Sequence, residues 1–112
     1  MRGKRKYGNR PTNGYASAAE SRRAAVLKLL ERGGAIRGLR EQVRYELIPA
    51  QEGERACHYV ADFVYEERGQ QPDGALWWAI VVEDVKGVRT AEYVIKRKLM
   101  LQAHGIRIRE LS

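Results

Sequence analysis

The amino-acid sequence predicts an α/β fold of the α+β type, built from two helices and one mixed β-sheet. Residues 17–32 and 90–103 carry helix start and stop signals around apolar residues at helical spacing. Four other segments are apolar or alternate in polarity, as strands do. The predicted order is helix, strand, strand, strand, helix, strand. A chain of 112 residues can bury one core, so we assign residues 17–112 to a single domain.

The first helix has a clear start and a clear end. Ser17 is followed three residues later by Glu20, which matches a capping box with a hydroxyl N-cap. Gly33 and Gly34 predict its end. Residues 1–16 lack an apolar period and are rich in Lys, Arg, Gly and Asn, so we expect them to form a flexible basic arm.

Three strands are predicted in the middle of the chain, at residues 43–48, 57–65 and 76–86. The third is the most hydrophobic and is expected at the centre of the sheet. Residues 51–54 and the Asp73-Gly74 pair are turn signals, and they favour antiparallel hairpins. We expect a linker containing Ile36 and Leu39 before the first strand, and a loop at 66–75.

The second helix and the last strand end the domain. Thr90 is the expected N-cap, Gly105 the expected end, and residues 106–110 alternate strictly. A strand–helix–strand crossover favours parallel pairing of the last strand with the central one. The residues expected on the inner side of this helix are Ala91, Val94, Ile95 and Leu99.

Charge is distributed unevenly along the chain. The net charge is +7, yet residues 45–85 hold nine acidic and only two basic residues. The basic ends suit a polyanion such as nucleic acid. The acidic middle does not suit a protein that only coats phosphates, but it would suit a metal site that faces a phosphate. A solvated surface with a chance asymmetry of charge is the alternative.

Composition excludes several classes of protein. The single cysteine, Cys57, excludes an internal disulfide framework and a cysteine-ligated zinc site. No apolar run approaches the roughly 20 residues of a membrane helix, and the basic N-terminus lacks the apolar stretch of a signal peptide. We therefore expect a cytoplasmic protein without a membrane partner or an organic cofactor.

Acidic residues and a lysine mark the predicted second and third strands. Asp84 and Lys86 point to the same face of the third strand, because side chains alternate along a strand. Asp62 lies within the apolar second strand, where a carboxylate is costly unless it is paired or bound to metal. If the two strands are neighbours, Asp62 and Asp84 converge. Clustered carboxylates are ligands that Mg²⁺ or Mn²⁺ prefers.

Each of these residues also has a purely structural interpretation. Glu20 lies within about 20° of Leu27 on a helical wheel, hence beside the inward stripe, but a capping-box glutamate occupies the same position for local reasons. Asp84 and Lys86 could form an ordinary ion pair at a strand end. Asp62 could form a buried ion pair with an arginine.

The combined pattern resembles the PD-(D/E)xK nuclease superfamily, which includes type II restriction enzymes, phage endonuclease I and archaeal Holliday-junction resolvases. More closely, the chain resembles a family of small phage-encoded proteins of uncharacterised function placed in that superfamily. The resemblance implies a restriction-endonuclease-like core. The stretches that carry it are residues 6–9, 17–20, 42–47, 59–65, 82–87 and 90–96.

The resemblance implies a role for each matching residue. Asp62 and Asp84 would be the metal-binding acids, Lys86 the catalytic lysine, and Glu20 the helix acid that supports the metal or a bound water. Gln42 falls where many members place a glutamine near the scissile phosphate. The expected nucleic-acid contacts are Lys4, Arg5, Lys6 and Arg10 in the arm, and Thr90, Tyr93 and Lys96 after the motif.

Two departures from the family pattern concern the motif itself. Ala61 stands where the superfamily name has proline, and the acid of the acid-x-Lys motif is aspartate. Glu83 is an adjacent candidate ligand, but alternation points it to the opposite face, so we assign Asp84.

The expected function is that of a metal-dependent DNA endonuclease, acting on phosphodiester bonds of phage DNA that could be branched, such as a four-way junction. Mg²⁺ or Mn²⁺ is the expected cofactor. The resemblance to resolvases implies a homodimer, because symmetric cutting of two strands needs two sites. The alternative is a non-catalytic nucleic-acid-binding protein that keeps a nuclease-like fold.

Overall fold

The computed structural model describes residues 14–112, which form two helices and one four-stranded sheet. The sheet order is β1-β2-β3-β4, with antiparallel pairing from β1 to β3 and parallel pairing of β3 with β4. The α+β class, the element order and the mixed sheet are therefore confirmed. The elements are α1 (Ala18–Arg32), β1 (Ile36–Ile48), β2 (Cys57–Gln70), β3 (Leu76–Val85), α2 (Ala91–His104) and β4 (Arg109–Leu111).

Both helices begin and end where the sequence predicts. The Oγ of Ser17 accepts a hydrogen bond from the backbone N–H of Glu20 at 3.1 Å, and the Oγ1 of Thr90 accepts one from that of Tyr93 at 3.1 Å. Gly105 ends α2 in the left-handed conformation, with φ 67°, which glycine adopts without a Cβ penalty. Neither helix in residues 14–112 has the length and apolar character needed to cross a membrane.

The first two strands are longer than predicted. β1 begins at Ile36, so the expected linker before residue 43 is part of the sheet, and β2 continues to Gln70 through half of the expected loop. Neighbouring strands supply the hydrogen bonds of these polar segments, since Ile36 pairs with Glu67. Gly38, with φ 65°, lies at a register shift in β1, and this irregularity hides the period-2 pattern. β4 is shorter than expected, beginning at residue 109 rather than 106.

The inner face of α2 differs in part from the predicted one, although Leu99 packs against the core as expected. The buried residues are Tyr93 and Met100, whereas Ile95 is 58% exposed. The buried stripe also passes over Lys96 and Arg97. Because these residues are polar, the spacing of apolar residues in the sequence indicates the neighbouring stripe instead. The position of α2 is therefore set partly by polar contacts.

The two helices cover opposite faces of the sheet. The successive residues Val81 and Val82 of β3 belong to different core clusters, and successive strand residues point to opposite faces. The cluster on the α1 side consists of Ala24, Leu27, Ile36, Phe63, Tyr65 and Val81. The cluster on the α2 side consists of Leu47, Tyr59, Ala61, Val64, Val82, Tyr93, Met100 and Ile108.

The chain before α1 is packed at its described end. Tyr15 is half-buried against the α1 cluster, and its hydroxyl accepts a hydrogen bond from the Nζ of Lys28 at 3.1 Å. The last residues of the expected arm over residues 1–16 thus include Tyr15, which packs against the domain. The four expected basic contacts of the arm, Lys4, Arg5, Lys6 and Arg10, lie outside the described residues.

A buried ion pair joins α1 to β3. Glu83 is fully buried and accepts two hydrogen bonds from the guanidinium of Arg23, at 2.7 and 2.8 Å. The hydroxyl of Tyr65 donates a third, at 2.5 Å; burial, followed by this bond, raises the pKa of Tyr65 to about 12. Glu83 therefore points to the α1 face, opposite to Asp84 as alternation predicts, and is occupied by structural contacts.

We expect the Arg23→Met variant to lose about 3 kcal/mol or more of unfolding free energy, because Glu83 is then a buried charge without its counter-ion. Urea denaturation followed by circular dichroism measures this loss. Arg22→Met is the matched control, since Arg22 is exposed on the same helix, and its effect should stay within about 0.5 kcal/mol. Equal unfolding midpoints for the two variants would contradict a structural role of the pair.

Candidate active site

Two carboxylates from adjacent strands meet near the end of β3. Asp84 is 2% exposed, and Asp62 of β2 is partly buried. The Oδ2 of Asp62 accepts a hydrogen bond from the backbone N–H of Val85 at 2.9 Å, which fixes its side chain across the strand pair. The convergence expected for neighbouring strands is therefore present.

Glu20 of α1 joins the same cluster. It is 6% exposed, and its Oε2 accepts a hydrogen bond from the Nε2 of Gln42 at 3.0 Å. Burial, followed by the negative charges of Asp84 and Glu41, raises the pKa of Glu20, and Lys86 partly opposes the shift. The Ser17 half of the capping box forms, but the Glu20 carboxylate is directed to Gln42 and the acidic cluster.

Gln42 reaches Glu20 from a strained backbone. Its φ is 54°, a left-handed value that no other non-glycine residue among residues 14–112 adopts. Such a conformation costs on the order of 1 kcal/mol or more and persists where the surroundings impose it. The strain coincides with the side chain that orients Glu20, so the backbone of β1 contributes directly to the geometry of the cluster.

The remaining contacts of Asp84 come from a tyrosine and a lysine. The hydroxyl of Tyr59 donates to the Oδ2 of Asp84 at 2.5 Å, and the Nζ of Lys86 lies 3.4 Å from Oδ1. Burial and the bond to Asp84 raise the pKa of Tyr59, so its hydroxyl remains a donor. The same Nζ lies 4.2 Å from the centre of the Tyr93 ring, a cation–π distance.

The acidic cluster is electrostatically costly as it stands. Burial, followed by a hydrogen bond with Asp84, raises the pKa of Asp62 to about 7, although the Val85 N–H opposes the shift. Two carboxylates this close favour a shared proton. A cation between them would relieve the same repulsion.

An open cleft leads from solvent to this cluster. It has a volume of about 500 Å³, and the short segment before α1 forms one wall. The residues that line it are Gly14, Tyr15, Ala16, Glu20, Glu41, Gln42 and Asp62. Three carboxyl groups therefore face a space that a ligand can enter.

The donor set fits a hard divalent cation only in part. Within residues 14–112, no three His, Cys, Asp or Glu side chains are placed to hold a metal ion together. Mg²⁺, however, is commonly bound by one or two carboxylates and keeps several waters. Asp62 and Asp84 supply that minimum, and their oxygen chemistry suits Mg²⁺ or Mn²⁺.

Comparison with known proteins identifies a family. Residues 6–109 match the family model described as "Protein of unknown function (DUF1064)". The chain belongs to the DUF1064 family. No curated protein and no solved structure matches it significantly. The matched range contains the whole candidate site, from Glu20 to Lys86.

The expected nucleic-acid contacts after the motif have other partners. Thr90 caps α2, and Lys96 lies 3.1 Å from Glu92 one turn away. Tyr93 is 6% exposed and donates to the Oε2 of Glu110 at 2.7 Å. This burial argues against a direct contact of Tyr93 with nucleic acid and gives it a supporting role beneath Lys86.

The sequence analysis did not assign two residues of the site to it, namely Tyr59 and Tyr15. Tyr59 lies three residues before Asp62, and no local pattern shows that its hydroxyl reaches the next strand. Tyr15 belongs to a polar segment that carries no period. Only the tertiary pairing of β2 with β3 and the packing before α1 make them part of the site.

We expect the metal-free protein to lose stability as pH rises from about 4 to about 7. Between the unfolded pKa of aspartate near 3.9 and the folded pKa of Asp62 near 7, the native state holds a proton that the unfolded state has released. The slope is at most about 1.4 kcal/mol per pH unit.

Urea denaturation in chelator at several pH values measures this slope. Asp62→Asn should flatten the slope and be more stable than wild type above pH 7. Glu54→Gln, at an exposed turn, is the matched control and should keep the wild-type slope. An unchanged slope in Asp62→Asn would show that the Asp62–Asp84 pair does not bind the extra proton.

Proposed function

We propose that this DUF1064 protein is a metal-dependent endodeoxyribonuclease with a restriction-endonuclease-like core. One observation carries the proposal: α1, β2 and β3 bring Glu20, Asp62, Asp84 and Lys86 into one cluster, which an open cleft reaches. A structural role alone would leave the costly acid pair without a purpose, since Glu83 already provides the buried ion pair of this region.

Asp62 and Asp84 are the residues that would hold Mg²⁺ or Mn²⁺. When bound, such a cation polarises a phosphoryl oxygen and lowers the pKa of an attacking water. Tyr59 orients Asp84 through its hydroxyl, and the Val85 N–H orients Asp62. Both carboxylates are thus held before a cation arrives, which reduces the entropy lost on binding.

Lys86 would stabilise the charge that develops on the phosphate. Its side chain is 26% exposed, so the ammonium group is accessible while its position is set by Asp84 and the Tyr93 ring. A preorganised cation stabilises a transition state more than a mobile one does. Glu20, oriented by Gln42, would hold a water or support the metal site.

Charge and symmetry complete the proposal. A net charge of +7 supports DNA as the polyanionic substrate, with salt-sensitive affinity. A homodimer would supply two sites for two strands, as cleavage of branched phage DNA requires. The homodimer rests on the resemblance to resolvases. The DNA substrate rests on that resemblance and on the net charge.

A non-catalytic nucleic-acid-binding protein is the second candidate. The observations that favour it are the ion pair between Lys86 and Asp84 and the raised pKa of Asp62, which favours a proton on this carboxyl. Both features reduce the repulsion within the cluster without a cation. Carboxylates that face a phosphate would, however, repel it. A role as a purely structural protein with an Asp62–arginine pair is not supported, since the buried arginine pair belongs to Glu83.

Cleavage assays test the nuclease directly. We expect wild type to cut supercoiled plasmid, linear duplex or a synthetic four-way junction with Mg²⁺ or Mn²⁺, and not with chelator. Lys86→Ala should lower the rate at least about 100-fold while DNA binding stays within a few-fold.

The matched control for this assay is Arg22→Ala, which removes an exposed cation elsewhere on α1. It should leave the cleavage rate at saturating enzyme nearly unchanged. Loss of binding together with cleavage in Lys86→Ala would make Lys86 a binding or folding residue. Absence of cleavage by folded, DNA-binding wild type would favour the non-catalytic candidate.

Calorimetry with Mn²⁺ tests the metal separately from the reaction. We expect wild type to bind Mn²⁺ and Asp62→Asn to bind it at least about tenfold more weakly, because one of two carboxylate ligands is lost. Glu54→Gln should bind as wild type does. Equal Mn²⁺ affinity in all three proteins would place the metal elsewhere or remove it from the function.

A further inference from the structure

A second cleft is lined by residues of α2, of β4 and of the segment between them. Its volume is about 340 Å³, and Leu101 and Ile108 form an apolar part of its lining. The polar lining residues are Arg97, Lys98, Arg107 and Glu110. Three cations and one acid therefore surround it, and the function proposed above assigns none of them a role.

The single acid of this cleft is already neutralised. Glu110 accepts hydrogen bonds from Arg89 at 2.6 Å, Arg97 at 3.0 Å and Tyr93 at 2.7 Å. These bonds, that of Tyr93 first, lower the pKa of Glu110 to about 2. Two arginines thus compensate the negative charge of Glu110, which holds them in place instead of repelling an anion.

Two cations of the cleft have no carboxylate partner within residues 14–112, namely Lys98 and Arg107. Other exposed arginines also lack such a partner, for example Arg22 on α1 and Arg55 in the β1–β2 turn. Neither lines the cleft that contains Lys98 and Arg107. Arg107 comes from the segment before β4 and Lys98 from α2, so the fold brings the two together. An anion is the ligand that complements their charge.

The position of the cleft relates it to the candidate active site. Glu110 is the register partner of Asp84 in the parallel β3–β4 pair. Tyr93 lies between the two, with its ring against Lys86 and its hydroxyl on Glu110. The backbone N–H of Lys86 also donates to the carbonyl of Leu111 in β4, at 2.7 Å. A polyanion bound at the first site can therefore continue to the second.

We propose that this cleft is a second phosphate-binding site, in which Lys98 and Arg107 hold a backbone phosphate of the nucleic acid that occupies the carboxylate site. Arg97, held in place by Glu110, adds positive charge to the same cleft. The inference rests on the proposed function for the identity of the polyanion, but it requires neither metal nor cleavage. It adds a binding site on the C-terminal half of α2, away from the motif residues.

Fluorescence anisotropy with a labelled 20-base-pair duplex in chelator tests the site without any reaction. We expect the double variant Lys98→Gln/Arg107→Gln to bind more weakly than wild type, with the slope of log affinity against log salt smaller by about 2. The matched control is Arg22→Gln/Arg55→Gln, which removes the same charge from exposed positions outside the cleft. Its slope should change by less than half as much.

The outcomes separate this site from the proposed nuclease activity. Equal slopes for the double variant and the control would overturn the site, even if Lys86→Ala confirms cleavage. If the double variant loses binding of inorganic phosphate but keeps binding of the duplex, the proposal is also overturned, because the cleft would then bind a free anion. If duplex binding falls as expected while no substrate is cut, the second phosphate site stands and the nuclease does not.

Discussion

Two successive buried carboxylates near the end of β3 determine how the rest of the molecule is arranged. Glu83 and Asp84 are 0% and 2% exposed, and alternation sends them to opposite faces of the sheet. Each must be satisfied by partners, because an isolated buried carboxylate is too costly to retain. The partners on the two faces differ, and the difference separates structure from candidate function.

On the α1 face, Glu83 receives a complete set of donors. Arg23 and Tyr65 satisfy both of its oxygens, so this carboxylate is fixed. Arg23 lies one helical turn after Glu20, and residues three apart share a helix face. The Arg23–Glu83 bond therefore also fixes the turn of α1 that carries Glu20. A structural ion pair on one residue thus positions a candidate site residue one turn away.

The sequence was sufficient to predict the features that depend on local patterns. The caps at Ser17 and Thr90, the ends at Gly33 and Gly105, and the order of elements follow from residues adjacent in the chain. The convergence of Asp62 with Asp84 also followed, because period-2 alternation and hairpin pairing fix which side chains meet.

What could not be predicted depends on contacts between distant segments. The early start of β1 and the late end of β2 depend on a partner strand, since the residues of these two extensions are mostly polar. The inward face of α2 is set by Tyr93, which bonds to Glu110 and supports Lys86. A search for apolar periodicity cannot detect this helix face, because its inward tyrosine is held by a carboxylate and packs against a lysine.

The energetic cost of the candidate site is the strongest argument that it has a function. Stability alone would favour neutral residues at Asp62 and Glu20, whose pKa values are raised by burial and by neighbouring carboxylates, Asp84 among them, and a glycine at the strained position of Gln42. These three energetically unfavourable residues line one open cleft, whereas the residues in the rest of the fold suit their local structure. Such conflicts are expected where a ligand completes the structure. A divalent cation would remove the repulsion between the acids and so satisfy groups that the fold leaves in an unfavourable state. A phosphate would then replace Asp84 as the counter-ion of Lys86.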